Sequence, residues 1–249
     1  MAVRRKVFGS RVIVALDFPG AGDALEFVAR LEPQSCRLKV GKELFVAAGP
    51  ELVRSLTTMG FDVFLDLKFH DIPNTVARAC KAAAALGCWM VNVHALGGET
   101  MMRAARAALD DFEDPPLLAA VTILTSQDDG DLRQIGIEGG AKAAALRLAK
   151  LAGQCGMDGV VCSAAECAEI KGVAPDGFLC VTPGIRPGAF AGDDQKRVAT
   201  PQSAVGMGSD FLVMGRPITQ APDPVQALRE ANEAVALALG VRRADFEGD

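Results

Sequence analysis

The sequence predicts an α/β fold of the (β/α)8 TIM-barrel type, organised as a single domain over residues 1–249. Eight short apolar runs recur along the chain, and a helical pattern follows each of them. A doubly wound open sheet would more often show about five or six strands and a G-x-G-x-x-G turn after the first, which this chain lacks. With 249 residues and 50% hydrophobic content, the chain is long enough to bury one full core.

The eight apolar runs are the predicted strands, and start signals mark several of the helices between them. The strands are Val12 to Asp17, Arg37 to Gly41, Asp62 to Lys68, Met90 to Ala95, Leu117 to Leu124, Gly159 to Ser163, Leu179 to Gly184 and Phe211 to Arg216. The helix starts are Asp23 as a cap, Pro50 as a first helical residue, the capping-box pair Ser163 and Glu166, and Asp223 three residues before Gln226. We expect frayed ends, at about residues 1–10 and 241–249.

Composition and charge exclude several functions. A formal charge of -5 and a pI near 5.2, without a basic stripe, argue against binding to nucleic acid. No run approaches the roughly 18 apolar residues of a membrane span. The apolar stretch behind the basic N-terminus is broken by Arg11, unlike a signal peptide, so we expect a cytoplasmic protein.

The cysteines and histidines do not form a recognisable metal motif. Seven cysteines are scattered without a C-x-x-C pair, which indicates buried thiols in a reducing compartment. The chain has only two histidines, His70 and His94, and no close ligand pairs, so we expect no metal site. His94 ends an apolar run and is expected to be a hydrogen-bonded residue at a strand end.

The segment from Asp66 to Asp71 places two carboxylates and an ammonium within six residues. Strand alternation puts Asp66 and Lys68 on one face. For an isolated D-x-K, a solvated surface pair is the ordinary explanation. Here a segment of strong helix propensity follows and stops at Gly87, so the charges lie at a strand-to-helix turn, the edge of an α/β sheet where ligands bind.

Polar residues at the other strand ends converge on the same rim if the chain forms a barrel. They are Asp17, Lys39, Asp66, Lys68, His94, Thr125, Ser126, Ser163, Pro183, Gly184, Arg186, Gly215 and Arg216. Each has an ordinary explanation alone, such as a cap or a turn, but their convergence predicts one site.

Two segments near the end of the chain indicate a phosphate site. Gly215 and Arg216 follow the last strand, so backbone N–H groups and a guanidinium can face an anion, as expected near strands seven and eight of such barrels. The long glycine-rich segment 184–195 carries Arg186 and Gln195 and is predicted to be a lid. An ordinary mobile loop is the alternative.

Five motifs in this order resemble orotidine 5'-phosphate decarboxylase of the bacterial type, over about residues 10 to 240. They are Val-Ala-Leu-Asp17, Leu-Lys39-Val-Gly, Asp66-x-Lys68-x-x-Asp71-Ile-Pro-Asn-Thr75, Val-Thr-Pro183-Gly-Ile-Arg186-Pro and Val-Met-Gly215-Arg216-Pro-Ile. The resemblance implies a TIM barrel that removes CO2 from orotidine 5'-phosphate without a cofactor or metal. The product would be UMP, in the last step of de novo UMP biosynthesis.

The resemblance also implies roles for individual residues. Lys39, Asp66, Lys68 and Asp71 would form an alternating charge array, with Lys68 as the general acid that protonates the C6 carbanion and Asp66 against the substrate carboxylate. Asp71 and Thr75 would reach the neighbouring subunit's site, which implies a homodimer. The implied substrate contacts are Asp17 and Lys39 at the ribose, Thr125 and Ser126 at the pyrimidine, Pro183 in the substrate site, and Arg186, Gln195, Gly215 and Arg216 at the phosphate.

Two other functions compete with this one. A sugar-phosphate lyase or decarboxylase of the same superfamily would use the same D-x-K-x-x-D with Mg2+, but it would carry a glutamate where this chain has Lys39. A catalytically dead nucleotide-binding barrel would gain nothing from Asp66 aimed at a carboxylate.

Overall fold

The computed structural model describes residues 9–187 and 198–240. Within these ranges eight parallel strands close into a barrel in which each strand pairs with its sequence neighbours and the eighth pairs with the first. The predicted (β/α)8 barrel is therefore confirmed. Apart from Gly9 and Ser10, the ends predicted to fray lie outside the described residues.

Helices alternate with the strands along the chain. The strands are β1 Val12–Leu16, β2 Arg37–Val40, β3 Val63–Phe69, β4 Met90–His94, β5 Leu117–Val121, β6 Gly159–Val161, β7 Leu179–Thr182 and β8 Phe211–Met214. The helices are α1 Ala21–Val28, α2 Lys42–Ala48, α3 Pro50–Thr58, α4 Pro73–Ala84, α5 Gly98–Ala107, α6 Asp129–Gln134, α7 Gly140–Gln154, α8 Cys167–Val173, α9 Pro201–Gly206, α10 Arg216–Thr219 and α11 Pro224–Ala238. In the described part of the chain, none of them is long and apolar enough to span a bilayer.

Most of the predicted start signals are confirmed, and one is wrong. Pro50 opens α3, the Glu166 carboxylate accepts a hydrogen bond from the Ser163 backbone, and Asp223 caps α11. Asp23 is not a cap, because α1 begins two residues earlier, behind Gly20 in an extended conformation. Strand β5 also ends at Val121, before the predicted Leu124.

Alternation along each strand divides the core into two parts. One set of side chains fills the barrel interior, with Ile13, Phe64 and Phe211 each at most 1% exposed. The other set, including Val14 and Leu38, packs outward against the helices. Each fully buried side chain of this size contributes about 1.5–3 kcal/mol relative to exposure. The barrel interior is thus a packed core rather than a pore.

A buried arginine closes the amino end of the barrel. Arg37 is 3% exposed, and its Nε lies 3.1 Å from Asp62 Oδ2. Its Nη1 donates to the Ser10 carbonyl, and its guanidinium lies 4.5 Å from the Trp89 ring centroid and 5.0 Å from that of Phe211. Burial lowers the pKa of Arg37, and the Asp62 carboxylate opposes that shift. Arg37 therefore stabilises the fold and does not contact a ligand, because it lies at the amino end of the barrel and ligands bind at the carboxyl ends of the strands.

Candidate active site

A cavity of about 470 Å³ lies at the carboxyl ends of the strands. That volume is in the range of small-molecule sites. Eleven of the residues predicted at the rim or in the site line it: Asp17, Lys39, Asp66, Lys68, Thr125, Ser126, Pro183, Gly184, Arg186, Gly215 and Arg216. Residues separated by up to about two hundred positions therefore meet, as the barrel topology predicts.

A chain of opposite charges crosses the floor of the cavity. Asp66 lies between two ammonium groups, with Lys68 Nζ 2.6 Å from Oδ1 and Lys39 Nζ 3.4 Å from Oδ2. Lys39 Nζ is also 3.5 Å from Asp17 Oδ1. The Asp66 and Lys39 side chains are each 11% exposed, and Lys68 is 26% exposed. Such buried charges interact far more strongly than a solvated surface pair, so the ordinary explanation for D-x-K does not hold here.

The backbone of Lys68 departs from a regular strand. Its φ is 54°, the left-handed region, and among the described residues it is the only non-glycine residue with a positive φ. The β3–β4 register shifts between Leu65 and Phe69. Such a conformation costs about 1–2 kcal/mol for an L-residue and persists only where the surroundings impose it. The predicted common face of Asp66 and Lys68 is confirmed by their contact, although a bulge produces it.

Asn92 on β4 holds this bulge, and the sequence analysis missed it. The side chain is fully buried; its Nδ2 donates to Asp66 Oδ1 at 2.7 Å, and its Oδ1 accepts from the Lys68 backbone N–H at 2.8 Å. One signal was available: positions 90, 92 and 94 alternate inward, so a polar residue at 92 stands among interior residues. Gln220 also lines the cavity, but it follows the short helix α10 and offered no such signal.

Two arginines supply positive charge to the same cavity. Arg186 is 8% exposed, with Nη1 3.0 Å from the Ile185 carbonyl, and its backbone N–H donates to Ala199. Arg216 begins the short helix behind β8. Gly215 lies against Asp17: a Cβ there would come 3.2 Å from Oδ2, so a side chain would crowd that carboxylate. Gln195 and most of the predicted lid lie outside the described residues.

Asp71 and Thr75 lie apart from the other predicted residues. Both are exposed, and neither is among the described residues that line the cavity. Asp71 sits in the turn before α4, where its Oδ1 accepts from the Ile72 N–H at 2.6 Å. Ile72 is itself 66% exposed. Their predicted position in a neighbouring subunit's site stays a prediction.

His94 and Ser163, also predicted at the rim, have structural contacts. His94 ends β4, and its Nδ1 accepts from the Leu96 N–H at 3.4 Å, which confirms the expected hydrogen-bonded strand end. Its ring lies 5.4 Å from that of His70. Burial lowers the pKa of His94 to about 4, with His70, Lys68 and Lys42 acting in the same direction. The imidazole is therefore neutral near pH 7.

All seven cysteines are buried, as predicted, but three of them meet in space. The thiols of Cys162, Cys167 and Cys180 lie within 4.8 Å of one another, so the expectation of no close ligand pairs is wrong. Cys162 follows β6, Cys167 begins α8, and Cys180 lies on the neighbouring strand β7. Cys167 Sγ also lies 3.4 Å from the Ser209 hydroxyl and 3.6 Å from that of Thr182. The Cys167 thiol therefore takes part in a buried network of hydrogen bonds with these two hydroxyls.

The fold and the cavity together define the class of protein: a (β/α)8-barrel enzyme with its site at the carboxyl ends of the strands. The sequence model of the Orotidine 5'-phosphate decarboxylase / HUMPS family matches residues 10–231. The chain belongs to this family.

Similar proteins cover nearly the whole chain. A protein named orotidine 5'-phosphate decarboxylase from Chromobacterium violaceum is 58% identical, over 93% of this chain and 94% of its own length. One of the same name from Sodalis glossinidius is 61% identical over 88% of each chain. The crystal structure of orotidine 5'-phosphate decarboxylase from Lactobacillus acidophilus superposes with a TM-score of 0.81 at 40% identity, covering 91% of this chain and 99% of that one.

Proposed function

We propose that this protein decarboxylates orotidine 5'-phosphate to UMP and CO2 without a cofactor, in the last step of de novo UMP biosynthesis. The observation that carries the proposal is the Asp66 carboxylate fixed between Lys39 and Lys68 in a cavity that also holds two arginines. Family membership and relatives of that name at 58–61% identity support the same reaction.

Asp66 and Lys68 act on the two ends of the bond that breaks: Asp66 on the substrate carboxylate and Lys68 on C6. The substrate carboxylate binds beside Asp66, and the repulsion between the two anions is relieved when neutral CO2 leaves. The C6–carboxylate bond breaks with its electron pair on C6, and the Lys68 ammonium stabilises that carbanion as it forms. Lys68 Nζ then transfers a proton to C6, which gives UMP and a neutral amine. Lys39, with its Nζ 3.4 Å from Asp66 Oδ2, holds that carboxylate in place.

Binding is divided between the ends of the substrate. Arg186, Gly215 and Arg216, with Gln195, hold the phosphate, which is remote from the reacting carbon. Binding energy from such a remote group can offset the cost of placing two carboxylates together. Asp17 and Lys39 contact the ribose, while Thr125, Ser126 and Pro183 contact the pyrimidine and its surroundings.

The active form is a homodimer in this proposal. Asp71 and Thr75 lie exposed at the start of α4, outside their own cavity, which suits residues that complete the site of a second subunit. Asp71 then extends the charge array beside Lys68 of the partner. A pathway enzyme of this kind works in the cytoplasm.

A magnesium-dependent relative is the main competitor. Its metal would need the carboxylates of Asp17 and Asp66, but Lys39 Nζ already lies 3.5 and 3.4 Å from them. An ammonium at that position repels a divalent cation. The donor set therefore favours the cofactor-free reaction.

The test is the ultraviolet absorbance of orotidine 5'-phosphate incubated with purified protein, with and without EDTA. Rapid loss of the orotate band in both samples is the expected result. Turnover that EDTA abolishes and Mg2+ restores would instead favour the metal-dependent relative. Tight UMP binding without turnover would favour a nucleotide-binding barrel.

A further inference from the structure

We infer that Asn92 is a positioning residue, whose side-chain amide fixes both the Asp66 carboxylate and the Lys68 backbone in the geometry that decarboxylation requires. The inference rests on the proposed function and adds to it a residue that does not line the cavity. Asn92 lies beneath the cavity, fully buried, on the interior face of β4.

The register of the sheet explains why an amide is needed there. Leu65 pairs with Val91 and Phe69 pairs with Val93, so the three residues 66–68 stand opposite Asn92 alone. The regular backbone hydrogen bonds between β3 and β4 cannot pair three residues of one strand with a single residue of the other. The Asn92 side chain supplies the missing acceptor, because its Oδ1 lies 2.8 Å from the Lys68 backbone nitrogen.

The same amide also orients the Asp66 carboxylate. Asp66 Oδ1 accepts from Asn92 Nδ2 at 2.7 Å and from Lys68 Nζ at 2.6 Å, while Oδ2 faces Lys39 at 3.4 Å. With Oδ1 held by two donors, the plane of the carboxylate is fixed. A primary amide carries a donor and an acceptor on one rigid group and adds no charge to the array.

Only asparagine meets these demands among residues of its size. Aspartate keeps the acceptor for Lys68 but has no donor when ionised, and it adds an anion beside Asp66. Leucine or alanine leaves a buried N–H and a carboxylate oxygen each short of a partner. Either change lets the left-handed turn at Lys68 relax, which moves Nζ relative to the reacting carbon.

A purely structural role makes a different prediction. If Asn92 only stabilised the fold, substitution would lower stability and leave kcat unchanged in the folded fraction. A positioning role lowers kcat while substrate affinity, set largely by the phosphate contacts, changes little. Asn232 offers a matched control: its amide also donates and accepts, to Ser35 and from Ser10, in contacts outside the cavity.

The experiment measures kcat and KM for orotidine 5'-phosphate, and urea stability, for wild type, Asn92→Ala, Asn92→Asp and Asn232→Ala. We expect kcat to fall about 100-fold or more in both Asn92 variants with KM within about threefold, and Asn232→Ala to lose stability but keep kcat. Should Asn92→Ala fail to fold, the isosteric Asn92→Asp provides the kinetic readout.

The pH profile of Asn92→Asp adds a readout that a structural role would not move. The charged groups around position 92 are Asp66 and Lys68 on β3 and Lys39 on β2, and β5 places apolar Ala119 beside it. Once protonated, the new carboxyl group can donate to Asp66, so activity should recover as pH falls, relative to wild type.

The outcomes separate this inference from the proposed function. An active wild type with kcat in folded Asn92→Ala or Asn92→Asp within about threefold of it would overturn the positioning role and leave the decarboxylase intact. An inactive wild type would overturn the proposed function and this inference with it.

Discussion

Replacing Arg37 with methionine should destabilise the barrel without changing its chemistry. The substitution keeps an unbranched apolar stem but removes the guanidinium that bonds Asp62 and the Ser10 carbonyl and covers the rings of Trp89 and Phe211. Because these contacts lie at the amino end of the barrel, we expect KM and kcat for orotidine 5'-phosphate to stay at wild-type values.

The magnitude follows from the contacts. The bond to Asp62 is charge-assisted, but the carboxylate is 50% exposed and can be rehydrated, so its loss costs about 1–2 kcal/mol. The bond to Ser10 contributes about 1 kcal/mol and the two ring contacts together about 1–2 kcal/mol. Because methionine carries no charge, the variant avoids the cost of burying one, and this offsets the loss of unfolding free energy by about 1–2 kcal/mol. The expected net loss of unfolding free energy is about 2–3 kcal/mol.

Urea unfolding followed by circular dichroism measures this loss. Fluorescence is less suitable, because the single tryptophan, Trp89, lies against the substituted group. Arg54→Met is the control: Arg54 Nε is 3.7 Å from Glu51, and the two side chains are 52% and 83% exposed, so its loss should stay below about 0.5 kcal/mol. Equal stability of the Arg37 and Arg54 variants would refute the reasoning.

Three further predictions concern the site. Lys68→Ala should fold normally and lose turnover by many orders of magnitude, as measured by the orotate absorbance; more than about a hundredth of the wild-type rate would contradict the general-acid role. Mixed dimers of Asp71→Ala and Lys68→Ala subunits should regain activity, since one of their two sites is intact; no rescue after demonstrated subunit exchange would argue against shared sites. His94, whose pKa is about 4 in the native state against 6.5 ordinarily, remains neutral while the unfolded chain takes up the proton. Its contribution to stability is therefore complete above about pH 6.5 and is lost as pH falls towards 4, which urea unfolding at pH 7 and at pH 5 measures. An identical pH dependence in His94→Gln would disprove this assignment.

Local patterns were enough to predict the barrel and most of its rim. Strand alternation predicted that Asp66 and Lys68 share a face, although a bulge produces their contact, and strand ends place Lys39 and Arg216 on one rim. The shared face depends on residues close in sequence, and the shared rim depends only on the closure of the barrel, so both could be predicted. The prediction of an Asp23 cap failed for a local reason: the helix begins two residues earlier, at Ala21, and Gly20 takes the cap position.

Features that depend on pairing between particular strands could not be predicted. Asn92 matters because three residues of β3 stand opposite it, and no sequence period encodes that register shift. Cys162 and Cys180 meet because β6 and β7 are adjacent, although 18 positions separate them in sequence. The proposed role of Asp71 would likewise depend on a second chain.

The apolar layer beneath the cavity also bears on how Lys68, the proposed general acid, would regain its proton after each turnover. Ile13, Phe64 and Phe211, each at most 1% exposed, fill the barrel interior beneath the charge array. In the proposed reaction, a proton that Lys68 gives to the product would be replaced from the solvent side, through the mouth that the nucleotide would occupy. Recharging of the lysine would then be tied to departure of the product, so each turnover would reset the acid only when the site is ready for the next substrate.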